Sequence, residues 1–271
     1  IIEVLFMFPC TPLVVALTEK IIPGEDQKVH HNELQYITEI SLKSPATMIP
    51  QAKNELKRMA DMAQENLDRS IKGFLNQSDE YLNKIYHREE DINNVSHAIT
   101  DYLVKSNQLS LPLADQKILG SMFYVVNDIE RIGDHAENFA DYTKTELKHN
   151  TGLTGDAKEE IKKMYEAVSK LLKLSLESFM AQDGVNTQED KLAEIAALEA
   201  SIDKMERRYQ KHHIKRLAKG DCEPRAGLLF SDMLSELERI ADHSVNIAYS
   251  MSDEDEDEML AAENDALATN N

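Results

Sequence analysis

One string occurs twice in this chain of 271 residues. Glu130-Arg131-Ile132-Gly133-Asp134-His135-Ala136-Glu137-Asn138-Phe139-Ala140 returns as Glu238-Arg239-Ile240-Ala241-Asp242-His243-Ser244-Val245-Asn246-Ile247-Ala248, with seven of eleven positions identical and a constant offset of 108 residues. A fainter pair upstream, Glu89-x-x-Ile92-Asn93 against Glu199-x-x-Ile202-Asp203, recurs at an offset of 110. Two strings repeating in the same order mean that one supersecondary unit is built twice in tandem. Whatever the fold, it must accommodate two like halves.

The punctuation says what each half contains. Nine Gly and seven Pro are too few turn residues for a many-stranded sheet, and 29% of the residues are charged, as in long amphipathic helices. Ser44-Pro45 places an N-cap before a first-turn proline, and Leu56, Met59, Met62, Ala63 and Leu67 keep helical spacing to about Asn76. Ser78 can cap a second run through Ile85, Ile92, Val95, Ile99 and Leu103. Ser110-Leu111-Pro112 opens a third, ending near Lys148. After a break at Thr151–Gly155, Asp156 with Glu159 has capping-box spacing and starts a fourth run, closed by Gly184. Thr187-x-x-Asp190 opens a fifth run, to Ala218. Gly220 and Pro224 separate it from a sixth, from about Arg225 to Met251. Six runs of roughly 27 to 38 residues exceed the ordinary soluble helix of about 11–12 and predict long antiparallel bundles. The expectation is all-α: a first three-helix repeat over 44–150 and a second over 151–251.

The ends differ from the middle. Residues 1–22 are apolar over about the length that spans a bilayer, with Glu3, Pro9 and Pro12 as interruptions and no basic stretch of the signal-peptide kind. They are expected to be the end of a truncated transmembrane helix, with a buried core helix or an amphipathic anchor as the alternative, followed by a linker over 23–43. Residues 252–271 are acidic and poor in bulky side chains, the composition of a disordered tail. A total of 49 acidic against 30 basic residues gives a net charge of −19, which repels nucleic acid and favours cations or basic partners. Cys10 and Cys222 stand apart with no metal-ligand or redox spacing.

The doubled string also carries chemistry. Glu130 and Asp134 lie one turn apart, with Asn138 continuing the line, and Glu238, Asp242 and Asn246 repeat it. A row of hard oxygen ligands on a rigid helix suits Mg²⁺, Mn²⁺ or iron. The competing reading is packing with salt bridges, in which Arg131 and Arg239 neutralise neighbouring carboxylates. His135 and His243 point away from the aspartates and are expected at the surface or in caps. His30-His31 and His212-His213 show no partner pattern and are expected in solvent. Glu146-x-x-His149 has the spacing of a di-iron carboxylate bundle, but such sites need that motif on two helices. A helical scaffold or signalling stalk without metal is the remaining alternative.

ERIGDHAENFA and ERIADHSVNIA resemble the signature of the PhoU family, in which an E/D-x-x-x-D motif recurs on two three-helix repeats. That resemblance implies metal clusters of iron, manganese or magnesium on the domain surface. The implied ligands are Glu130/Asp134 and Glu238/Asp242, with Glu199/Asp203 as the second-helix version of the motif. The first repeat departs from it, with Asn93 standing after Glu89 where an aspartate is expected, so its site is weaker on this reading. The apolar start, Ile22-Pro23-Gly24, and SPATMIPQAKNELKRMA (Ser44 to Ala60) resemble the junction in bacterial sodium/phosphate cotransporter-family proteins. There the last membrane helices run into a cytosolic PhoU-like domain. The implied role is regulation of phosphate uptake, without enzymatic activity. The implied partners are the membrane transport domain of the same polypeptide and phosphate-signalling proteins, with room for a homo-oligomer. The implied location is the inner membrane, with residues after about 23 in the cytoplasm.

Overall fold

The first turn of each helix records the local chemistry that starts it. The computed structural model describes residues 34–38, 45–149, 152–181 and 185–250. These form α1 (Pro45–Leu75), α2 (Leu82–Asn107), α3 (Leu113–His149), α4 (Gly155–Met180), α5 (Val185–Lys219) and α6 (Pro224–Tyr249). Pro224 occupies the first turn of α6, where its missing N–H costs nothing. Gly220, at φ 75°, closes α5, and the Asp221 N–H donates back to the Arg216 carbonyl at 2.9 Å, the pattern of a left-handed cap.

Three predicted caps differ. Ser78 does not cap α2; its hydroxyl accepts from the Glu80 N–H instead, and the residue before the helix, Tyr81, makes no side-chain cap. At α4 the cap is Thr154, extended at ψ 156°, which accepts from the Ala157 N–H at 3.3 Å. Asp156 already lies in the first turn. α5 begins at Val185, so Thr187 is inside it. A hydroxyl at the last extended residue wins the cap because only there does its oxygen face the free amides. Thr154→Ala should therefore cost about 1 kcal/mol and lower Tm by about 2–4 °C. Asp156→Ala should shift the thermal melt less, and an equal shift would return the cap to Asp156.

The predicted all-α class and its two three-helix repeats are found, and the described residues contain no strand. α1, α3, α6 and α4 make a closed ring of packed neighbours, while α2 lies against α1 and α3 and α5 against α4 and α6. The repeats meet antiparallel. Lys53 near the start of α1 donates to the Phe179 carbonyl near the end of α4 at 3.0 Å, and Gln64 reaches Ser169 at 3.2 Å. The packing is duplicated as well: Leu56, Met59, Ala63, Leu67 and Phe74 in α1 are buried, as are Ile161, Met164, Val168, Leu172 and Phe179 in α4. Each buried Leu or Phe contributes about 1.5–3 kcal/mol of transfer free energy.

Ahead of α1, part of the segment expected as a linker is tied down. Glu55, fully buried, accepts from the backbone N–H groups of Gln35 (2.9 Å) and Tyr36 (2.7 Å), and Leu34 and Ile37 pack against the core. Arg58 pairs with Glu55. The expected membrane helix (1–22), the Ser44 cap, His30-His31, Gly184 and the acidic tail (252–271) lie outside the described residues. Among those described, no helix is long and apolar enough to cross a membrane.

Candidate metal sites and the seam between the repeats

A helix with about 100° between residues sorts the doubled string onto two faces. Taking Glu130 as zero, Asp134 lies about 40° on and Glu137 about 20° back, whereas Asn138, Tyr142, His135 and Asp128 fall roughly 80–160° round. The first set faces α2 and the second faces α6.

On the α2 side stand Glu89 and Asn93. Glu89 is 3% exposed and neither of its carboxylate oxygens has a hydrogen-bond partner; the Asn93 side-chain oxygen is likewise buried and unpaired. Burial first, then repulsion from Asp134, Glu137 and Glu130, pushes the Glu89 carboxyl up to about 8. Burial and the charges of Asp141 and Asp134 raise Glu137 as well. Glu130 accepts from the Ser96 hydroxyl at 3.0 Å. Asp134 has Arg131 at 3.4 Å, but both side chains are well exposed, and such a surface pair contributes little.

The second repeat gathers Glu199, Asp203 and Glu206 from α5 with Glu238 and Asp242 from α6. Glu199 is raised by burial, then by Asp203 and Asp242. Glu238 is raised by burial and by Asp242, Glu206 and Asp203, with Arg239 opposing. Burial and Asp203 raise Asp242 against the pull of His243. Carboxylates that raise one another in this way share a field that a cation would relieve. Among the described residues, however, no three His, Cys, Asp or Glu side chains are poised to hold a metal as they stand. A cation would have to draw them in by rotamer change.

The seven expected carboxylates thus fall into two clusters, one per repeat, with Asn93 one turn beyond Glu89 on α2. Glu137 and Glu206 were missed, although a signal existed: Glu130-Asp134-Glu137 and Glu199-Asp203-Glu206 share one spacing, four residues and then three. The expected continuation to Asn138 and Asn246 is a correction, because eight residues on, the side chain has turned toward the other repeat.

There it joins a reciprocal seam. His135 Nδ1 pairs with Glu236, which also accepts from Asn138 (3.1 Å) and Tyr142 (3.2 Å). His243 Nδ1 pairs with Asp128 at 2.8 Å, and Asn246 donates to the same oxygen at 3.3 Å. Donors and acceptors of the two halves are again 108 residues apart, and the two histidine rings lie 5.6 Å from centroid to centroid. The expectation of surface or capping histidines fails for His135, which is buried, and for His243, which is engaged across the seam. Burial works against the Glu236 charge, yet its hydrogen bonds from His135 and Asn138 outweigh it and hold the carboxyl below the ordinary range.

The other histidines differ from expectation too. His213 is buried against Phe230, with ring centroids 5.3 Å apart, and burial lowers its pKa. His212 pairs with Glu160 at 2.7 Å. Glu146 is buried against Gln77 in the α1–α2 turn, while His149 is exposed, so the two do not form a di-iron half-site.

Two three-helix units, each with a carboxylate cluster between its second and third helices and joined along their third helices, define a class of duplicated helical bundle with paired acidic sites. The chain belongs to the PhoU domain family, whose profile matches residues 56–143 and 161–251, one copy per repeat. It is 20% identical over 196 residues to the phosphate-specific transport system accessory protein PhoU homolog 1 of Thermotoga maritima, covering 72% of this chain and 82% of that protein. It is 23% identical over 199 residues to the Clostridium acetobutylicum homolog, covering 73% and 87%. The crystal structure of Pseudomonas aeruginosa PhoU matches with a TM-score of 0.67 at 19% identity, covering 76% of this chain and 96% of that one. The Streptococcus pneumoniae PhoU structure matches with the same score, covering 78% and 96%. Both structures share the fold.

Proposed function

We propose that this chain is the regulatory module of a sodium-dependent phosphate transporter, acting on a membrane transport domain in the same polypeptide. Family membership supports the phosphate link, since the curated relatives are named as accessory proteins of phosphate-specific transport. The membrane junction rests on the apolar run over 1–22 and on the SPATMIPQAKNELKRMA resemblance. On this reading the protein sits at the inner membrane, with residues after about 23 in the cytoplasm. Phosphate-signalling proteins or a second copy of the chain are its further partners, and it carries no catalytic site.

We further propose that the module binds iron, manganese or magnesium through Glu89, Asn93, Glu130 and Asp134 in one repeat and Glu199, Asp203, Glu238 and Asp242 in the other. The observation that carries this is Glu89: a buried carboxylate with both oxygens unpaired is costly unless a proton or a cation joins it. Bound metal stabilises the folded state by RT ln(1 + [L]/Kd), about 1.4 kcal/mol at a tenfold excess over Kd. Metal content and melting temperature of the chain, with and without Asp134→Ala plus Asp242→Ala, test the proposal. The wild type should retain metal, and the double variant should lose it along with about 3–6 °C of Tm. Equal melting and no metal in either protein would leave the carboxylates as packing and make the helical scaffold the better reading.

A further inference from the structure

The two carboxylate clusters are not copies of each other, and one of the differences is a missing methyl group at the base of the first. Gly133 of α3 and Ala241 of α6 hold the same place in the duplicated string. A Cβ added at Gly133 would stand 2.7 Å from Glu89 Oε2, closer than real Cβ contacts come, and 3.3 Å from Ile92 Cγ2. A methyl group at position 133 would push the carboxylate tip of Glu89 out of the place it occupies and crowd Ile92, so the bare glycine is what leaves that place open. In the second repeat Ala241 supplies that Cβ, itself 1% exposed, and the matching Glu199 is only partly buried. The neighbour on the second helix differs too. Ser96 donates to Glu130 in the first repeat, whereas the second places Glu206 at the matching position, so the first site is deeper and less charged.

Resting on the cation-binding reading above, we infer that Gly133 is a specificity-determining residue. It makes the first-repeat site a deep one that takes Mn²⁺ or Fe²⁺ in preference to Mg²⁺, while the second-repeat site, closed at its floor by Ala241, accepts hydrated Mg²⁺. Depth decides because the ions part with water differently. Mg²⁺ dehydrates reluctantly and usually keeps several waters, which the floor beneath Gly133 does not accommodate around Glu89. Mn²⁺ also takes carboxylate and carbonyl oxygens, and Fe²⁺ binds a given site somewhat more tightly than Mn²⁺, so for these ions the lost waters are not the barrier they are for Mg²⁺. Asn93 fits this assignment: its unpaired buried oxygen offers a neutral ligand beside a carboxylate that has already left solvent.

The test is Mn²⁺ binding to the full chain, followed by electron paramagnetic resonance, with and without excess Mg²⁺. The wild type should keep one class of bound Mn²⁺ that Mg²⁺ does not displace and lose another that it does. Gly133→Ala should weaken the resistant class at least about tenfold, and Ala241→Gly should make the displaceable class more resistant. Glu89→Gln, which adds no Cβ, should also remove the resistant class, and far-UV circular dichroism would show both first-repeat variants folded. Displacement of Mn²⁺ from all sites alike in the wild type would overturn the inference while leaving cation binding intact. Retention of the resistant class in folded Gly133→Ala would overturn it as well. No bound Mn²⁺ in the wild type would instead remove the cation reading itself.

Discussion

Glu236→Ala should lower the stability of the chain by about 3 kcal/mol and its Tm by about 6–12 °C. Glu236 is the acceptor for three donors from the other repeat: His135, Asn138 and Tyr142. The His135 and Glu236 side chains are 9% and 13% exposed. Deleting the carboxylate leaves all three donors facing a void, and an orphaned buried group costs more than the hydrogen bond itself contributed. His135→Ala removes one donor but leaves Glu236 with two, so its loss should be smaller. The reciprocal change, Asp128→Ala, strands only His243 and Asn246 in a more open setting, and it should cost less than Glu236→Ala. Because hydrogen bonding holds Glu236 below the ordinary carboxyl range, its contribution is present above about pH 4.5 and is lost as pH falls through the folded-state value. The variant should therefore show a shallower acid limb. Chemical denaturation of wild type and the three variants from about pH 2.5 to 7 checks this, and equal midpoints for Glu236→Ala and wild type at neutral pH would show that the seam contributes nothing.

Glu89→Gln should do the opposite at high pH and stabilise the metal-free protein. Burial and three neighbouring carboxylates push Glu89 from 4.5 in the unfolded chain to about 8 in the folded one. Between those values the folded state keeps a proton that the unfolded state releases, so stability falls as pH rises through the window and the penalty is complete above about pH 8. A tenfold difference in proton affinity between the two states is worth about 1.4 kcal/mol, so a rise from 4.5 to about 8 makes the relief in the amide variant on the order of 5 kcal/mol at pH 9. At pH 5 the two proteins should differ little, since Glu89 is then neutral in the folded wild type. Urea midpoints at the two pH values, in chelator, decide it. A wild type with the same pH slope as the variant would mean that the Glu89 carboxylate reaches water or a partner.

Much of this molecule is legible along the chain. The spacing of Leu56, Met59, Ala63 and Leu67, and of Ile161, Met164, Val168 and Leu172, specifies helices and their buried faces, because a helix repeats its orientation every few residues whatever surrounds it. The constant offset of 108 residues between the doubled strings specifies two like units, and the one-turn spacing of Glu130 and Asp134 puts both on one face. Local capping was less legible. Thr154 rather than Asp156 caps α4 because the cap belongs to the last extended residue, and the backbone conformation there is settled by how the α3–α4 connection packs.

Tertiary structure alone decided the rest. Nothing local says that the histidine of each string will meet a carboxylate two residues ahead of the other string. That pairing arises because α3 and α6 cross antiparallel about a near two-fold relation, which brings residues some hundred apart into contact. Glu55 holding the amides of Gln35 and Tyr36 is of the same kind. So is Glu89: its sequence neighbours mark it as one more charged residue, and only the close approach of α2 to a glycine on α3 takes it out of water. Side-chain periodicity is a property of one helix, whereas burial, partner and protonation belong to the space between helices, and that space exists only after the chain has packed.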